Sequence, residues 1–385
     1  MKKSGKIYLD HNATTPVDPR VMEVMLPYFS EKFGNPSSSL HVYGWEAEEA
    51  VDIAREQIAG SIGARTNEIY FTSGATESIN LALMGICEAY SENRNHIITC
   101  STEHKAVLDT CDYLQKQGFE ISWLDVDSNG TIDLQDLDNA INEKTILVCL
   151  MHANNETGVI HPLREITELV KKRDVLFMTD ATQSIGKIPF VADNLGIDVA
   201  AFSSHKLYGP KGVGALYVRS NPKVKLSPCH FGGGQERGLR PGTLNVPGIV
   251  GFGKAVELCI EELRDDTHRL SKLRDTIDQE LSMLTGVQVN GLNSRRLPHM
   301  TNLSFRHIDE TQLIPSLKRL AVSRSSSCSS TTIKPSHVLK NMGLSDQLAL
   351  SSIRIGLGRY TTEEEVRTAI DSIKATIEQL RLTTT

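Results

Sequence analysis

The sequence predicts an α/β protein, with a mostly parallel sheet covered on both faces by helices and a smaller α+β region after it. Two observations carry this. From about residue 15 to 260, short apolar strand patterns alternate with amphipathic helical ones, as in a sheet whose strands are buried on both sides. Beyond that stretch a long helical pattern leads into short strands mixed with helices.

The elements follow in order. "AEEAVDIAREQIAGSIGA" has helical spacing and precedes the strand-like "EIYFTS". Next come the helix "INLALMGICEAY", the strand "HIITC", the helix "KAVLDTCDYLQKQG" and the strand "EISWLDVD". "TILVCLMH", "VLFMTDA", "VAAFSSHK" and "VGALYVR" read as further strands, with the helix "REITELVKKR" among them. One helical pattern spans about Val250 to Leu284, and the C-terminal part holds the strands "TNLSF" and "SIRIGL" and the helix "TEEEVRTAIDSIKATIEQL". Ligands of such sheets bind at the carboxyl ends of the strands, so the polar residues just after each strand matter most.

Composition narrows the classes. The 385 residues are enough for a substantial core and about two domains. With 39% hydrophobic and 23% charged residues the chain has globular composition, and a net charge of −6 offers no basic field for nucleic acid. There is no apolar run of about 18 residues to span a membrane and no signal peptide, which points to the cytoplasm. The seven cysteines form no C-x-x-C pair and no zinc-ligand spacing, so no metal is expected. Most lie in apolar segments and read as small buried hydrophobes. Cys328 differs: in "VSRSSSCSSTT" it is surrounded by serine.

Asp180 and Gln183 follow one strand, and Lys206 follows another, in "AFSSHKLYGPKG". A strand-end lysine or aspartate is ordinary by itself. Together, an amine that can condense with an aldehyde and an acid that can hold a pyridinium are the two essentials of pyridoxal phosphate (PLP) chemistry. "FTSGATESINLAL" adds a strand–glycine–helix junction, where free N–H groups and the helix dipole suit a phosphate. "GIVGFGK", Gly248 to Lys254, matches the first seven positions of a phosphate-binding P-loop, but Ala255 lacks the hydroxyl that would ligate magnesium. That segment reads as the start of a helix.

With "YLDHNATTP", "FGNPSS", "EHKAVL", "NNETG", "TDATQ", "SSHKLYGPKG", "GGGQERGLRPGT" and "SSIRIGLGR", in order along nearly the whole chain, the sequence resembles the cysteine desulfurases of the NifS/IscS-like group within the class V aminotransferases. The resemblance implies the type I PLP-dependent transferase fold and a homodimer. It implies a large domain with a mostly parallel seven-stranded sheet over residues 15–260, and a small α+β domain from residues 1–14 and 261–385. Carried over by motif, Lys206 becomes the Schiff-base lysine, Asp180 the partner of the ring nitrogen, and Gln183 and Asn155 the contacts of the ring oxygen and substrate. His104 stacks on the ring and moves a proton. Ala75, Thr76, Ser203 and His205 hold the phosphate, with Thr243 reaching in from the other subunit. Arg354 clamps the substrate carboxylate.

The resemblance also explains the serine-rich stretch. The family carries its sulfur-accepting cysteine in a small-domain loop, here about residues 323–333, and Cys328 takes that place. Ser325 and Ser327 replace the family's glycine and alanine, and Arg324 is new. The implied reaction converts L-cysteine to L-alanine and leaves a persulfide on Cys328 for a sulfur-acceptor protein. Iron–sulfur cluster assembly comes first among the destinations, with tRNA thiolation and DNA phosphorothioation as others. Cys328 could also ligate a partner's nascent iron–sulfur cluster. A selenocysteine lyase or another class V lyase or transaminase would work without Cys328, and a sulfur-relay scaffold would bind no cofactor. The chain ends just after its final helix, where housekeeping members continue, so a scaffold protein that depends on that tail is expected to bind weakly.

Overall fold

The computed structural model describes residues 5–92, 94–324 and 334–384. Twelve strands are found among them: β1 Ile7–Tyr8, β2 Ile69–Thr72, β3 His96–Cys100, β4 Glu120–Leu124, β5 Thr145–Cys149, β6 Leu176–Asp180, β7 Val199–Ser203, β8 Gly214–Val218, β9 Val287–Val289, β10 Met300–Phe305, β11 Leu320–Ala321 and β12 Ser352–Gly356. The large sheet has seven strands in the order β2-β8-β7-β6-β5-β3-β4. Its pairings are parallel except at β8, which runs antiparallel to both neighbours. The sheet predicted from the alternating pattern is therefore present, with one reversed strand.

Side chains alternate across this sheet, as strand geometry requires. Ile98, Val148, Phe177, Ala200 and Phe202 join one core beneath the helix Val42–Ser61. Ile97, Leu147, Cys149, Met178 and Val199 join a second core beneath the helix Ala75–Tyr90. Five cysteines, Cys87, Cys100, Cys111, Cys149 and Cys259, are buried, as their apolar contexts suggest, while Cys229 is half-buried. No helix among the described residues is long and apolar enough to cross a membrane.

A third core joins Leu9, near the amino end, to Leu273, Ile277, Phe305, Ile353, Ile355 and Ile373. It lies on an antiparallel sheet of order β12-β10-β9, and β1 pairs with β11 in parallel. The first residues thus return to the carboxyl-terminal part, beside the strand that carries Arg354.

One sequence expectation is corrected. The single helical pattern over Val250–Leu284 is two helices, Val246–Glu261 and Leu263–Ser282, broken at Glu262 (φ −94°, ψ 0°). Glu262 pairs there with Arg20 at 2.6 Å and Arg359 at 2.8 Å, two fixed cations outside either helix. The first helix also starts earlier, where Asn245 caps it and Pro247 occupies its first turn. Gly248 to Lys254 lie inside this helix, so the P-loop reading has no loop to stand on.

Candidate active site

Chain segments following the carboxyl ends of β2, β3, β5, β6 and β7 converge on one cavity of about 610 Å³. Lys206, Asp180, Gln183, His104, Asn155, Ala75, Thr76, Ser203, His205 and Arg354 all line it. The sequence had scattered these residues over 280 positions (354 − 74). The fold gathers them because each ends or follows a strand of the large sheet, or, for Arg354, lies on the neighbouring small sheet.

Lys206 ends a single 3-10 turn, Ser204–Lys206, directly after β7. Its Nζ donates to the carbonyls of Asn12 (2.5 Å) and Ala13 (2.8 Å), and Gln183 Nε2 donates to the same Asn12 oxygen at 3.1 Å. The turn is tied to the amino-terminal segment, since Thr15 N–H and Oγ1 both reach the His205 carbonyl, at 3.0 and 2.9 Å. Tyr208 stands two residues on at φ +63°, a left-handed conformation uncommon for a bulky side chain. Its N–H donates to Thr15 Oγ1 at 2.8 Å, and its hydroxyl accepts the Arg359 N–H at 2.6 Å. Asp180, the last residue of β6, is buried and accepts the Thr182 N–H at 2.9 Å.

At the other end of the cavity the helix Ala75–Tyr90 begins at Gly74, with no side chain capping its first turn. Its leading N–H groups are therefore available to an anion. Gly214 of β8 allows the close approach there: a Cβ on it would meet Gly74 Cα at 2.6 Å. His205 Nδ1 lies 3.1 Å from Thr14 Oγ1. Burial, with Lys206 and Lys211 nearby, pushes the His205 imidazole down to about 4.

His104 caps the helix Lys105–Lys116, its Nδ1 accepting the Ala106 N–H at 3.1 Å. That bond places the proton of a neutral ring on Nε2. Behind it, burial raises the carboxyl of Glu103 well above its usual range. Arg354 is fully buried, donating from Nη2 to Asp10 Oδ1 at 2.9 Å and from Nη1 to the Asn155 carbonyl at 3.0 Å. Its Nε finds no partner among the described residues.

Thr243 is exposed and does not line this chain's cavity. Arg240, three residues earlier, pairs with Glu77 at 2.7 Å beside the uncapped helix start. Cys328 lies outside the described residues. Its described flanks are held at the cavity: Ser323 exchanges backbone bonds with Arg354, and Ser336 Oγ donates to Glu156 Oε2 at 2.5 Å. Sequence reasoning did not single out Asn12, Ala13, Thr14, Glu156, Lys211 or His337, which also line the cavity. The motifs "YLDHNATTP" and "NNETG" contain four of them, but no spacing shows that residue 12 meets residue 206. Among the described residues no group of three His, Cys, Asp or Glu could hold a metal ion.

A strand-end lysine, a buried strand-end aspartate and an uncapped helix start around one cavity define a class. Residues 7–368 match the family described as aminotransferase class-V. The chain belongs to that family, and to the cysteine desulfurases within it. It is 51% identical over 379 residues to cysteine desulfurase IscS of Anaeromyxobacter sp. (strain Fw109-5), covering 97% of this chain and 93% of that one. Among solved structures it is similar to a NifS-like protein (TM-score 0.91, 42% identity, 97% of this chain and 100% of that one). It is also similar to SspA in complex with cysteine (TM-score 0.83, 38% identity, 92% and 100%).

Proposed function

We propose that this protein is a PLP-dependent cysteine desulfurase that moves the sulfur of L-cysteine onto Cys328 and releases L-alanine. The observation that carries the reading is the meeting of Lys206, Asp180, Gln183, His104 and Arg354 in one cavity, in a chain 51% identical to a cysteine desulfurase.

The donor set fits PLP. The uncapped helix start, with Ser203 beside it and His205 in the same cavity, offers N–H and O–H donors that suit a phosphate, while the carboxylate of its first turn, Glu77, is neutralised by Arg240 and takes the Ser73 N–H. A bound phosphate would offset the two lysines that depress His205. Asp180 would hold the ring nitrogen, Gln183 the ring oxygen, His104 the ring face and Lys206 the aldehyde carbon. PLP, when bound, draws electrons from the substrate's Cα and so loosens bonds there and at Cβ.

The chain's own residues do the rest. Arg354 takes the substrate carboxylate, for which a buried fork whose Nε–H has no partner among the described residues is suited. Lys206, at the strand end, exchanges the proton at Cα. His104, through Nε2, can hydrogen-bond the substrate and relay a proton to or from it. The Cys328 thiolate attacks the substrate sulfur: an S–S bond forms, the Cβ–S bond breaks, and its electron pair ends in a C–H bond of alanine. The persulfide then passes to a thiol-bearing acceptor protein, with iron–sulfur assembly as the destination we favour.

Purified protein given L-cysteine and dithiothreitol should make alanine and sulfide in equal amounts. Cys328→Ala should bind PLP normally yet fall by at least about 10²-fold in both products. Undiminished alanine formation by that variant would point to the lyase reading.

A dimer is part of this proposal. The segment from Met22 to Trp45 leaves Leu26, Phe29, Phe33, Leu40 and Tyr43 exposed, with Leu40 92% exposed. Apolar exposure on that scale marks an interface. A second copy would also bring in Thr243, which its own cavity does not use. Mixed dimers of Lys206→Ala and Thr243→Ala subunits should then contain one intact site, and should be more active than either parent. Hybrids no better than their parents, though folded and dimeric, would refute shared sites.

A further inference from the structure

Arg354 enters the cavity wall from β12 with its side chain 1% exposed. A guanidinium withdrawn from water is costly unless a well-placed carboxylate meets it. Asp10 supplies that carboxylate, at 2.9 Å from Nη2. Asp10 pairs with the guanidinium without lining the cavity.

The same carboxylate has a second task. Its Oδ2 accepts from Ser323 Oγ at 2.5 Å, and Ser323 exchanges backbone bonds with Arg354 at 2.8 and 3.4 Å. Asp10 is itself fixed: it bridges Gly356 of β12, and its carbonyl accepts the Tyr8 hydroxyl at 3.1 Å. Gly356 also lets the segment after Asp10 pack closely, since a Cβ there would meet Asn12 Oδ1 at 1.9 Å. On the far side Nη1 donates to the Asn155 carbonyl at 3.0 Å. Glu156, another carboxyl near Arg354, accepts the Ser336 hydroxyl on its Oε2. The guanidinium is thus anchored at both terminal nitrogens, by the Asp10 carboxylate on one side and the backbone carbonyl of Asn155 in the cavity wall on the other. Among the described residues, three of its five N–H groups have no partner and can meet a ligand.

We propose that Asp10 is a positioning residue for substrate recognition: it holds Arg354, so that an α-carboxylate meets the guanidinium at one fixed place in the cavity. Asp10 thereby sets the preference for amino acids over amines without a carboxylate. This rests on the reading of Arg354 as the carboxylate clamp, and the test separates the two.

The PLP-loaded enzyme is titrated with L-alanine and with ethylamine, the same molecule without the carboxylate, following the cofactor's visible absorbance. Asp10→Ala should weaken L-alanine by about tenfold or more and leave ethylamine within about twofold. KM for L-cysteine should rise by a similar factor, with kcat changed by less than about threefold. Asp10→Asn, which keeps the acceptor, should recover most of the L-alanine affinity. Equal weakening of both probes, or no weakening of L-alanine, overturns the proposal. Arg354→Ala serves as the reference. If it does not separate the probes, the clamp reading itself fails; if it does and Asp10→Ala does not, only the role of Asp10 fails. Should Asp10→Ala not fold, Ser323→Ala loosens the same carboxylate from its other side and should weaken L-alanine alone, by about threefold. An unchanged L-alanine affinity in that variant also overturns the proposal.

Discussion

Lys206→Ala is expected to abolish both turnover and the visible absorbance that PLP acquires on joining a lysine. Lys206 lies at the end of β7, with Asp180 at the end of the neighbouring strand β6, and its amine is held by the Asn12 and Ala13 carbonyls at 2.5 and 2.8 Å. Two other lysines, Lys105 and Lys211, line the cavity, but both are exposed. Lys105 opens a helix and Lys211 follows a turn, so neither shares the anchoring that fixes Lys206. With Lys206 proposed to move the Cα proton, its loss should lower the rate by at least about 10²- to 10⁴-fold. The spectral result is the sharper one. Borohydride treatment of the wild type should fix PLP onto Lys206, and treatment of the variant should fix none. A variant with an unchanged band, labelled on Lys105 or Lys211, would sink the assignment.

That assignment was legible in the sequence because it needs only local information. A strand of the parallel sheet ends, a polar residue follows, and ligands bind there. Asp180, Gln183, Ser203, Lys206 and the Gly74 junction all obey this rule, and the structure places them around one cavity. Arg354 depended on the family resemblance, since its strand lies in the small sheet. What escaped were contacts across great sequence distance. Asp10 meets Arg354 344 residues away, and the Asn12 carbonyl meets Lys206 194 residues away. A backbone acceptor leaves no trace in residue type. The break at Glu262 was hidden for a related reason, since its Arg20 and Arg359 partners lie outside both helices. Thr243 could not be placed by one chain at all.

The cofactor-free protein is expected to lose stability steeply on mild acidification, because its fold buries neutral histidines. Burial pushes His11 and His161 down to about 4 and His152 to about 3, and holds His299 well below its ordinary range. Each keeps an ordinary value near 6.5 when unfolded. For a base whose folded pKa is depressed, the unfolded chain binds the proton first. Stability is therefore full above the unfolded value and falls as pH drops from about 6.5 toward 4. At pH 5 His11, His152 and His161 each remove roughly 2 kcal/mol, and His299 acts in the same direction. Glu103 and Glu156 act in the opposite sense. Burial raises both, Glu156 to about 7, so they gain protons in the folded state first. Glu156 returns roughly 2 kcal/mol over the same interval, leaving a net loss of a few kcal/mol against a typical total of about 5–15. His161 isolates the effect. Neither ring nitrogen has a partner among the described residues, so His161→Leu gives up no hydrogen bond there and replaces a buried polar ring of similar size. Urea unfolding at pH 7 and pH 5 should show the variant at least as stable as wild type at neutral pH. Its loss between the two pH values should be smaller by about 2 kcal/mol. Equal losses in the two proteins would mean that His161 titrates normally in the fold, and that buried histidine does not set the acid limit.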